Sequence, residues 1–246
     1  FLSTVAIFHT QAKNNNFSVT DLRCRIEENP EQFGYREKLF LDLYEPLEQA
    51  WDAELKKNSW TDFESMMHQA AELIESGRWP NPYRLILVDE FQDTSRARAR
   101  LIKALLKTPD ARLFAVGDDW QAIYRFAGSD LAVMTNFENE FGAAETLHLS
   151  TTFRCSQTIC DLSSRFVQQN PRQIEKECRS VHTEAGLPIH LIPVDSEAEI
   201  YQAVSKEVVR LAESSKTDGK EIVIAVLGRY RRDAELLPHL RRKNIT

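Results

Sequence analysis

The sequence is short of the features that mark membrane, secreted and metal-binding proteins. No apolar run approaches the roughly 20 residues that a membrane-spanning helix needs, and no secretory signal is visible. The six histidines show no ligand spacing, and the four cysteines are not paired as they are in metal sites. They are Cys24, Cys155, Cys160 and Cys178. Reduced thiols in a protein of the cytoplasm are the simplest interpretation.

Composition and charge set further limits. The 246 residues suffice for one large domain or two small ones, and 42% hydrophobic with 28% charged residues is ordinary for a soluble globular protein. The net charge of −6 argues against a general polyanion binder but is compatible with a local basic groove. Since the first residue is Phe1, we expect the chain to begin inside a longer gene product or to have been processed.

The chain is organised around the stretch Leu-Ile-Leu-Val-Asp-Glu-Phe-Gln-Asp-Thr-Ser, which begins at residue 85. Its first four residues are apolar and include two β-branched side chains, which predicts a strand buried on both faces. Asp89 and Glu90 follow at the carboxyl end of this strand, where open α/β sheets bind their ligands. One carboxylate can hold Mg²⁺ and the other can orient an attacking water. Solvated acids before a helix cap are the alternative, and Gln92 and Asp93 in fixed register favour the functional interpretation.

Apolar periodicity predicts strands that alternate with helices, the pattern of a parallel α/β sheet flanked by helices. The predicted strands are residues 85–88, 113–116, 147–149, 189–194 and 222–227. The predicted helices are residues 36–57, 61–76, 95–107, 130–142, 157–170 and 197–214, with a last one around residues 234–240. The polar, irregular stretch before Gly186 predicts a domain boundary near that glycine.

Three blocks of the sequence resemble, in the right order, motifs of superfamily 1 DNA helicases of the UvrD/Rep type. Asp-Glu-Phe-Gln-Asp, which starts at Asp89, is similar to their motif II (Walker B), and residues 116–128 and 149–159 are similar to two later motifs. Residues 117–126 are most similar to the same stretch in the helicase IV branch of that family. The resemblance covers residues 60–170 well and the rest loosely.

The resemblance implies an α/β fold of the RecA-like P-loop NTPase class, present in part, with a helical insertion subdomain at the N-terminus. Residues 1–82 would form the mainly helical, 1B-like insertion. Residues 83–185 would form the second half of the first motor domain, and residues 186–246 the beginning of the second. It also implies an ATP-dependent 3′–5′ DNA helicase of the bacterial cytoplasm or nucleoid. ATP and Mg²⁺ would be its cofactors and single-stranded DNA its partner, with no membrane association.

The resemblance also implies roles for the residues that would surround ATP. Asp89 takes the Mg²⁺ position and Glu90 the position of the base that activates water, supported by Gln92 and Asp93. Gln121 takes the position of the glutamine that senses the γ-phosphate. An amide suits this task because it can accept from water and donate to phosphate. A polar turn is the alternative for this glutamine.

Thr-Phe-Arg at residues 152–154 is similar to the family's Asn-Tyr-Arg block. The match implies that Arg154 is an arginine finger, whose planar fork suits phosphate oxygens. Phe153 would stack on adenine but lacks the hydroxyl of the family's tyrosine. A surface ion pair with Asp161 is the alternative for Arg154.

Aromatic side chains are implied to line the DNA path, because aromatic faces stack on bases of any sequence. The resemblance places Tyr124 and Phe126 there, together with Phe63 from an Asp-Phe pair that precedes motif II in the family. A core position is the alternative for each of them. Ala127 departs from the family, whose arginine at this position links the DNA and nucleotide sites. Coupling between those sites must therefore use other groups here or be weaker.

A glycine-rich phosphate loop, Gly-x-x-x-x-Gly-Lys-Ser/Thr, is missing. Gly219-Lys220 is followed by Glu221 and has no glycine five residues before it. The family's Ser-Lys-Gly and Gln-x-x-Arg blocks are also absent, so we expect an internal slice of a helicase motor that is inactive alone. One rival is a metal-dependent nuclease that uses the acidic residues at 89, 90, 118 and 119. The other is a non-catalytic module that binds single-stranded DNA.

Overall fold

The computed structural model describes residues 2–182, 189–218 and 222–228, and shows a helix-rich α/β protein with small parallel sheets. Its helices are α1 (Leu2–Asn14), α2 (Val19–Glu28), α3 (Tyr35–Asn58), α4 (Phe63–Glu75), α5 (Arg96–Leu106), α6 (Leu131–Thr135), α7 (Phe137–Phe141), α8 (Gln157–Val167) and α9 (Glu197–Asp218). Its strands are β1 (Leu85–Val88), β2 (Arg112–Ala115), β3 (Thr151–Ser156) and β4 (Arg179–His182). In these described ranges, none of the helices is long and apolar enough to cross a membrane.

The first four helices precede all the described strands, and α1, α2 and α3 share a hydrophobic core of their own. Helix α2 begins at a capping box in which Ser18 and Asp21 satisfy each other's backbone amides. Tyr44 of α3 is almost fully buried and stacks edge-on against Phe8 of α1, with ring centroids 4.8 Å apart. This aromatic contact joins α1 to α3.

Strands β1 and β2 pair in parallel, with Leu85 opposite Arg112 and Val88 opposite Ala115. One face of the pair packs on a layer of helices, and the buried residues of that cluster are Phe91, Ala99, Ile102 and Val133. The other face is open, since Leu87 is 67% exposed and Phe114 is 60% exposed. The prediction that β1 is buried on both faces is therefore wrong. Within the described residues, helices cover only one face of the β1–β2 pair.

The predicted strand at residues 147–149 is also wrong. Leu149 is 93% exposed, and the strand that forms is β3, a few residues further along the chain. It pairs in parallel with β4, which lies in a stretch that the sequence presents as irregular. A short strand is stabilised by its neighbour, and here the neighbour favours Thr151–Ser156 over the more apolar leucines.

The chain divides into two compact units, Phe1–Thr183 and Glu184–Thr246. The described part of the second unit contains helix α9, as predicted, but no strand. The strands predicted at residues 189–194 and 222–227 are therefore wrong, and Val223 is 97% exposed. Gly186, the glycine-lysine pair at residues 219–220 and the predicted helix around residues 234–240 lie outside the described residues.

Candidate functional site

Two acidic side chains lie at the carboxyl end of β1, as the sequence predicts. Asp89 and Glu90 are both exposed, and Asp89 Oδ1 accepts a hydrogen bond from the Glu90 amide at 2.9 Å. Glu90 has left-handed backbone angles, φ 50° and ψ 44°, which cost a side chain other than glycine about 1–3 kcal/mol. The Phe91 amide donates to the Val116 carbonyl at 2.8 Å. This bond fixes the chain just beyond the strained residue.

Gln92 joins the loop after β1 to the loop after β2. It is buried, its Nε2 donates to Glu90 Oε2 at 2.7 Å, and its Oε1 accepts from the Asp118 amide at 2.9 Å. Gly117 leaves the space for this arrangement, because a Cβ there would lie 2.8 Å from Gln92 Oε1. The sequence indicates that Gln92 supports the acids, but the bond to Asp118 is visible only in the structure.

Gln121 belongs to a short 3₁₀ helix, Asp119–Gln121, that follows β2. Its Nε2 donates to Asp118 Oδ2 at 2.7 Å, and the side chain is otherwise exposed. Hydrogen bonds thus connect Glu90, Gln92, Asp118 and Gln121 in a continuous series. The structure therefore brings together three predicted site residues through Asp118, which the sequence singles out only for the nuclease alternative.

The donor set fits a magnesium ion that is shared with a phosphate. Across residues 2–182, 189–218 and 222–228, no group of three His, Cys, Asp or Glu residues could hold a metal unaided. Mg²⁺ differs from ions that need a full protein cage, since one or two carboxylates and substrate phosphates suffice. Asp89 is exposed at the strand end. Asp93 has a buried Oδ1 that lacks a hydrogen-bond partner within the described part of the chain. This oxygen is therefore also available to interact with a cation.

Two of the predicted DNA-contacting aromatics lie close together on the surface. Phe126 is 74% exposed and Tyr124 is 47% exposed, and their ring centroids are 5.9 Å apart. Phe63 is 86% exposed at the first turn of α4. Within the part of the chain that the structure describes, Phe63 and Phe126 therefore do not occupy core positions.

Helix α1 holds the aromatic loop, a role that nothing in its sequence indicates. Gln11 Nε2 donates to the Phe126 carbonyl, and Asn14 Nδ2 donates to the Ala127 carbonyl at 3.3 Å. Thr10, which also belongs to α1, donates from its Oγ1 to Glu64 Oε1 of α4 at 3.0 Å. Helix α1 therefore contacts both the loop that carries Phe126 and the helix that begins at Phe63.

Phe153 and Arg154 lie in β3. Phe153 is 74% exposed, and the Arg154 side chain is exposed and has no ion-pair partner within the described ranges. Asp161, the alternative partner of Arg154, accepts instead from Gln157 Nε2 at 2.8 Å. The guanidinium is therefore available to a ligand, and no hydrogen bond found in the described chain links it to Glu90.

Comparison with known proteins places this site in a family. Residues 2–142 match the UvrD/REP helicase N-terminal domain. DNA helicase IV of Escherichia coli (strain K12) is 46% identical over 142 residues, which are 57% of this chain and 21% of that protein. ATP-dependent DNA helicase Rep of the same strain is 26% identical over 215 residues, 85% of this chain and 31% of Rep.

A further relative is ATP-dependent DNA helicase PcrA of Staphylococcus aureus (strain Mu50), 25% identical over 201 residues, 80% of this chain and 27% of PcrA. The chain thus spans between 21% and 31% of the length of these three relatives. The matched domain contains Asp89, Glu90, Gln121 and Phe126 and extends over more than half of the chain. The chain belongs to the UvrD/REP helicase family.

Proposed function

We propose that this chain is the part of an ATP-dependent DNA helicase that carries its water-activating base, its γ-phosphate sensor and part of its DNA path. The series of hydrogen bonds from Glu90 through Gln92 and Asp118 to Gln121 carries the proposal. It connects a carboxylate that follows β1 with an amide that follows β2, at the carboxyl ends of two parallel strands, where α/β sheets bind ligands. The parent protein would move 3′ to 5′ along single-stranded DNA.

The proposed chemistry is hydrolysis of the γ-phosphate of ATP. Glu90 accepts a proton from the attacking water, and Gln121 orients that water while donating to phosphate. Arg154 stabilises charge on the transferred phosphoryl group, and Phe153 stacks on the adenine. When bound at Asp89, Mg²⁺ supplies positive charge to the phosphate oxygens.

The proposed fold is a partial RecA-like motor in which β1 and β2 are two strands of a larger parallel sheet. Residues 1–82 form the helical insertion, residues 83–185 the second half of the first motor domain, and residues 186–246 the beginning of the second. The open face of β1 and β2, with Leu87 and Phe114 exposed, supports this assignment. A complete doubly wound sheet has helices on both faces, and the described residues cover only one face of this pair.

The first prediction is that this 246-residue chain, purified alone, releases no phosphate from ATP. Cradling the β-phosphate requires the amides and lysine of a glycine-rich loop, and Mg²⁺ requires that loop's hydroxyl. The measurement is phosphate release with Mg²⁺ and single-stranded DNA, with the full-length protein as the positive control. DNA-stimulated release by the isolated chain that disappears in Glu90→Gln would contradict the prediction.

A second assay, cleavage of labelled DNA with Mg²⁺ and without ATP, tests the nuclease alternative. A nuclease would cut DNA with Mg²⁺ and without ATP, using acids that include Asp118 and Asp119. Lys176 Nζ binds both of those carboxylates, at 2.5 Å and 2.6 Å, which opposes their use as metal ligands. Full-length protein that binds DNA but neither hydrolyses ATP nor cuts DNA would instead support a non-catalytic binding module.

The second prediction is that Phe126→Ala weakens binding of single-stranded DNA by about 1–3 kcal/mol, because base stacking is lost. Fluorescence anisotropy with labelled oligonucleotides of two different sequences measures the affinity. The loss should be similar for both oligonucleotides, since every base has an aromatic face.

Phe166→Ala is the matched control for this prediction, because Phe166 on α8 is also 74% exposed. It removes the same apolar surface from a place where no DNA contact is proposed. Equal losses in the two variants would show that Phe126 contributes only general apolar attraction, and an unchanged affinity in Phe126→Ala would exclude stacking at this residue.

A further inference from the structure

Lys176 has no assigned role, yet it occupies a junction of the site. It lies between α8 and β4, and its Nζ contacts Asp118 Oδ1 at 2.5 Å and Asp119 Oδ1 at 2.6 Å. The same ammonium lies 4.8 Å from the centroid of the Trp120 ring. One cation therefore touches three consecutive residues of the loop that leads to Gln121.

Asp119 shows how firmly this junction is built. It is fully buried, with 0% of its surface exposed, and its Oδ2 accepts from the Ile174 amide at 2.7 Å. Trp120 Nε1 donates in turn to the Ile174 carbonyl at 3.1 Å. A buried carboxylate is costly unless it is paired and hydrogen-bonded, and Lys176 is the positively charged partner that it has in this loop.

Asp118 links Lys176 to Gln121, a residue of the proposed nucleotide site. One of its oxygens accepts from Lys176 and the other from Gln121 Nε2, the latter at 2.7 Å. Burial by itself raises the pKa of Asp118, but the hydrogen bonds from Lys176 and Gln121 outweigh it, so this pKa lies below its ordinary value. Asp118 therefore remains a charged acceptor, and both of its oxygens are held.

The junction also spans the two sheets of the first unit. Asp118 follows β2, and its amide is bound by Gln92, which in turn binds Glu90. Lys176 precedes β4, the strand that pairs with the Arg154-bearing β3. Lys176 thus contacts the loop that leads to Gln121 and lies a few residues before the strand that pairs with β3.

We propose that Lys176 is a positioning residue for ATP hydrolysis: by clamping Asp118 and Asp119 it holds Gln121 where it meets the γ-phosphate and the attacking water. The inference rests on the proposed function, because it gives the clamp a reaction to serve. The proposed role of Lys176 involves no contact with the nucleotide or the attacking water, so its loss should slow the chemical step more than it weakens ATP binding.

The test compares Lys176→Met and Lys176→Arg in the full-length protein. Lys176→Met should lower kcat for DNA-stimulated ATP hydrolysis by about 10–100-fold, as expected for a misplaced catalytic group, with KM for ATP changed less than about threefold. Lys176→Arg should recover most of kcat, because a guanidinium can bridge two carboxylates and stack on Trp120. Arg179→Met is the matched control, since this nearby arginine pairs with Glu177 on the surface.

Asp118→Asn provides a second route if Lys176→Met does not fold. Asp118 is partly exposed, and the exchange keeps an acceptor for Gln121 while removing the charge that Lys176 binds. We expect the same split between kcat and KM, with the melting temperature close to that of the wild type. A wild-type kcat in Lys176→Met, or a wild-type kcat in Asp118→Asn where Lys176→Met cannot fold, would overturn the inference.

A loss of kcat that Arg at position 176 does not recover, with a lower melting temperature, would also overturn it in favour of a purely structural ion pair. Wild-type full-length protein without ATP hydrolysis would overturn the proposed function, and this inference with it. If the wild-type protein hydrolyses ATP and Lys176→Met, or Asp118→Asn in its place, has the same kcat, this inference alone would be overturned. The two failures are therefore distinguishable.

Discussion

Arg154→Ala in the full-length protein is expected to abolish ATP turnover while leaving nucleotide binding close to that of the wild type. An arginine that reaches the transferred phosphoryl group stabilises charge that develops mainly in the transition state, and such residues contribute about 10³-fold or more to the rate. Arg154 is exposed in β3, and within the described chain no acid pairs with it. It is therefore free to serve a ligand.

Phosphate release under saturating ATP and single-stranded DNA gives the turnover of Arg154→Ala, and titration with a fluorescent ATP analogue gives its affinity. Arg165→Ala is the control, because Arg165 is an exposed arginine on the adjacent helix α8. Turnover that persists in Arg154→Ala would remove the arginine from the reaction. A parallel loss in Arg165→Ala would indicate a general charge effect.

Glu90→Gln is the second variant with a large expected effect. It should lower kcat by about 10²–10⁴-fold, the usual contribution of a positioned general base. The amide oxygen of glutamine can still accept the hydrogen bond from Gln92 Nε2, and the unbranched side chain suits the same backbone angles. The exchange therefore removes the carboxylate proposed as the base and preserves its hydrogen bond to Gln92.

Single-turnover phosphate release and ATP binding, measured together, check the expectation for Glu90. Glu138→Gln on α7 is the control, because it makes the same exchange at an exposed position away from the site. Binding should survive in Glu90→Gln, so that the variant holds ATP without hydrolysing it. Hydrolysis at the wild-type rate would exclude Glu90 as the base, and a loss of binding would show that its charge holds the nucleotide–metal complex instead.

Local patterns were sufficient for much of the fold. The sequence predicts β1 at residues 85–88, as observed, and α3 at 36–57 against Tyr35–Asn58 in the structure. It also predicts α5, α8 and α9 close to their observed bounds. Each of these elements has a periodic apolar face or an apolar run of its own, so neighbouring residues suffice to specify it.

Other elements depended on partners that are distant in the chain. The single helix predicted at residues 130–142 is two short helices, α6 and α7, separated at Asn136. Strand β3 forms where β4 can pair with it, at residues that are less apolar than the predicted ones. A sequence pattern does not reveal which strand has a neighbour, because that depends on long-range contacts.

For the site, the sequence by itself determined the residue types: the acids after β1, the amide at Gln121, the arginine of β3 and the family to which they belong. Only the tertiary structure decided how they are connected. Lys176 reaches Asp119 across a separation of 57 residues, and Gln92 reaches the Asp118 amide across 26. Such contacts arise when loops that flank different strands, in one sheet or in two, meet in the folded chain, and no local spacing encodes them.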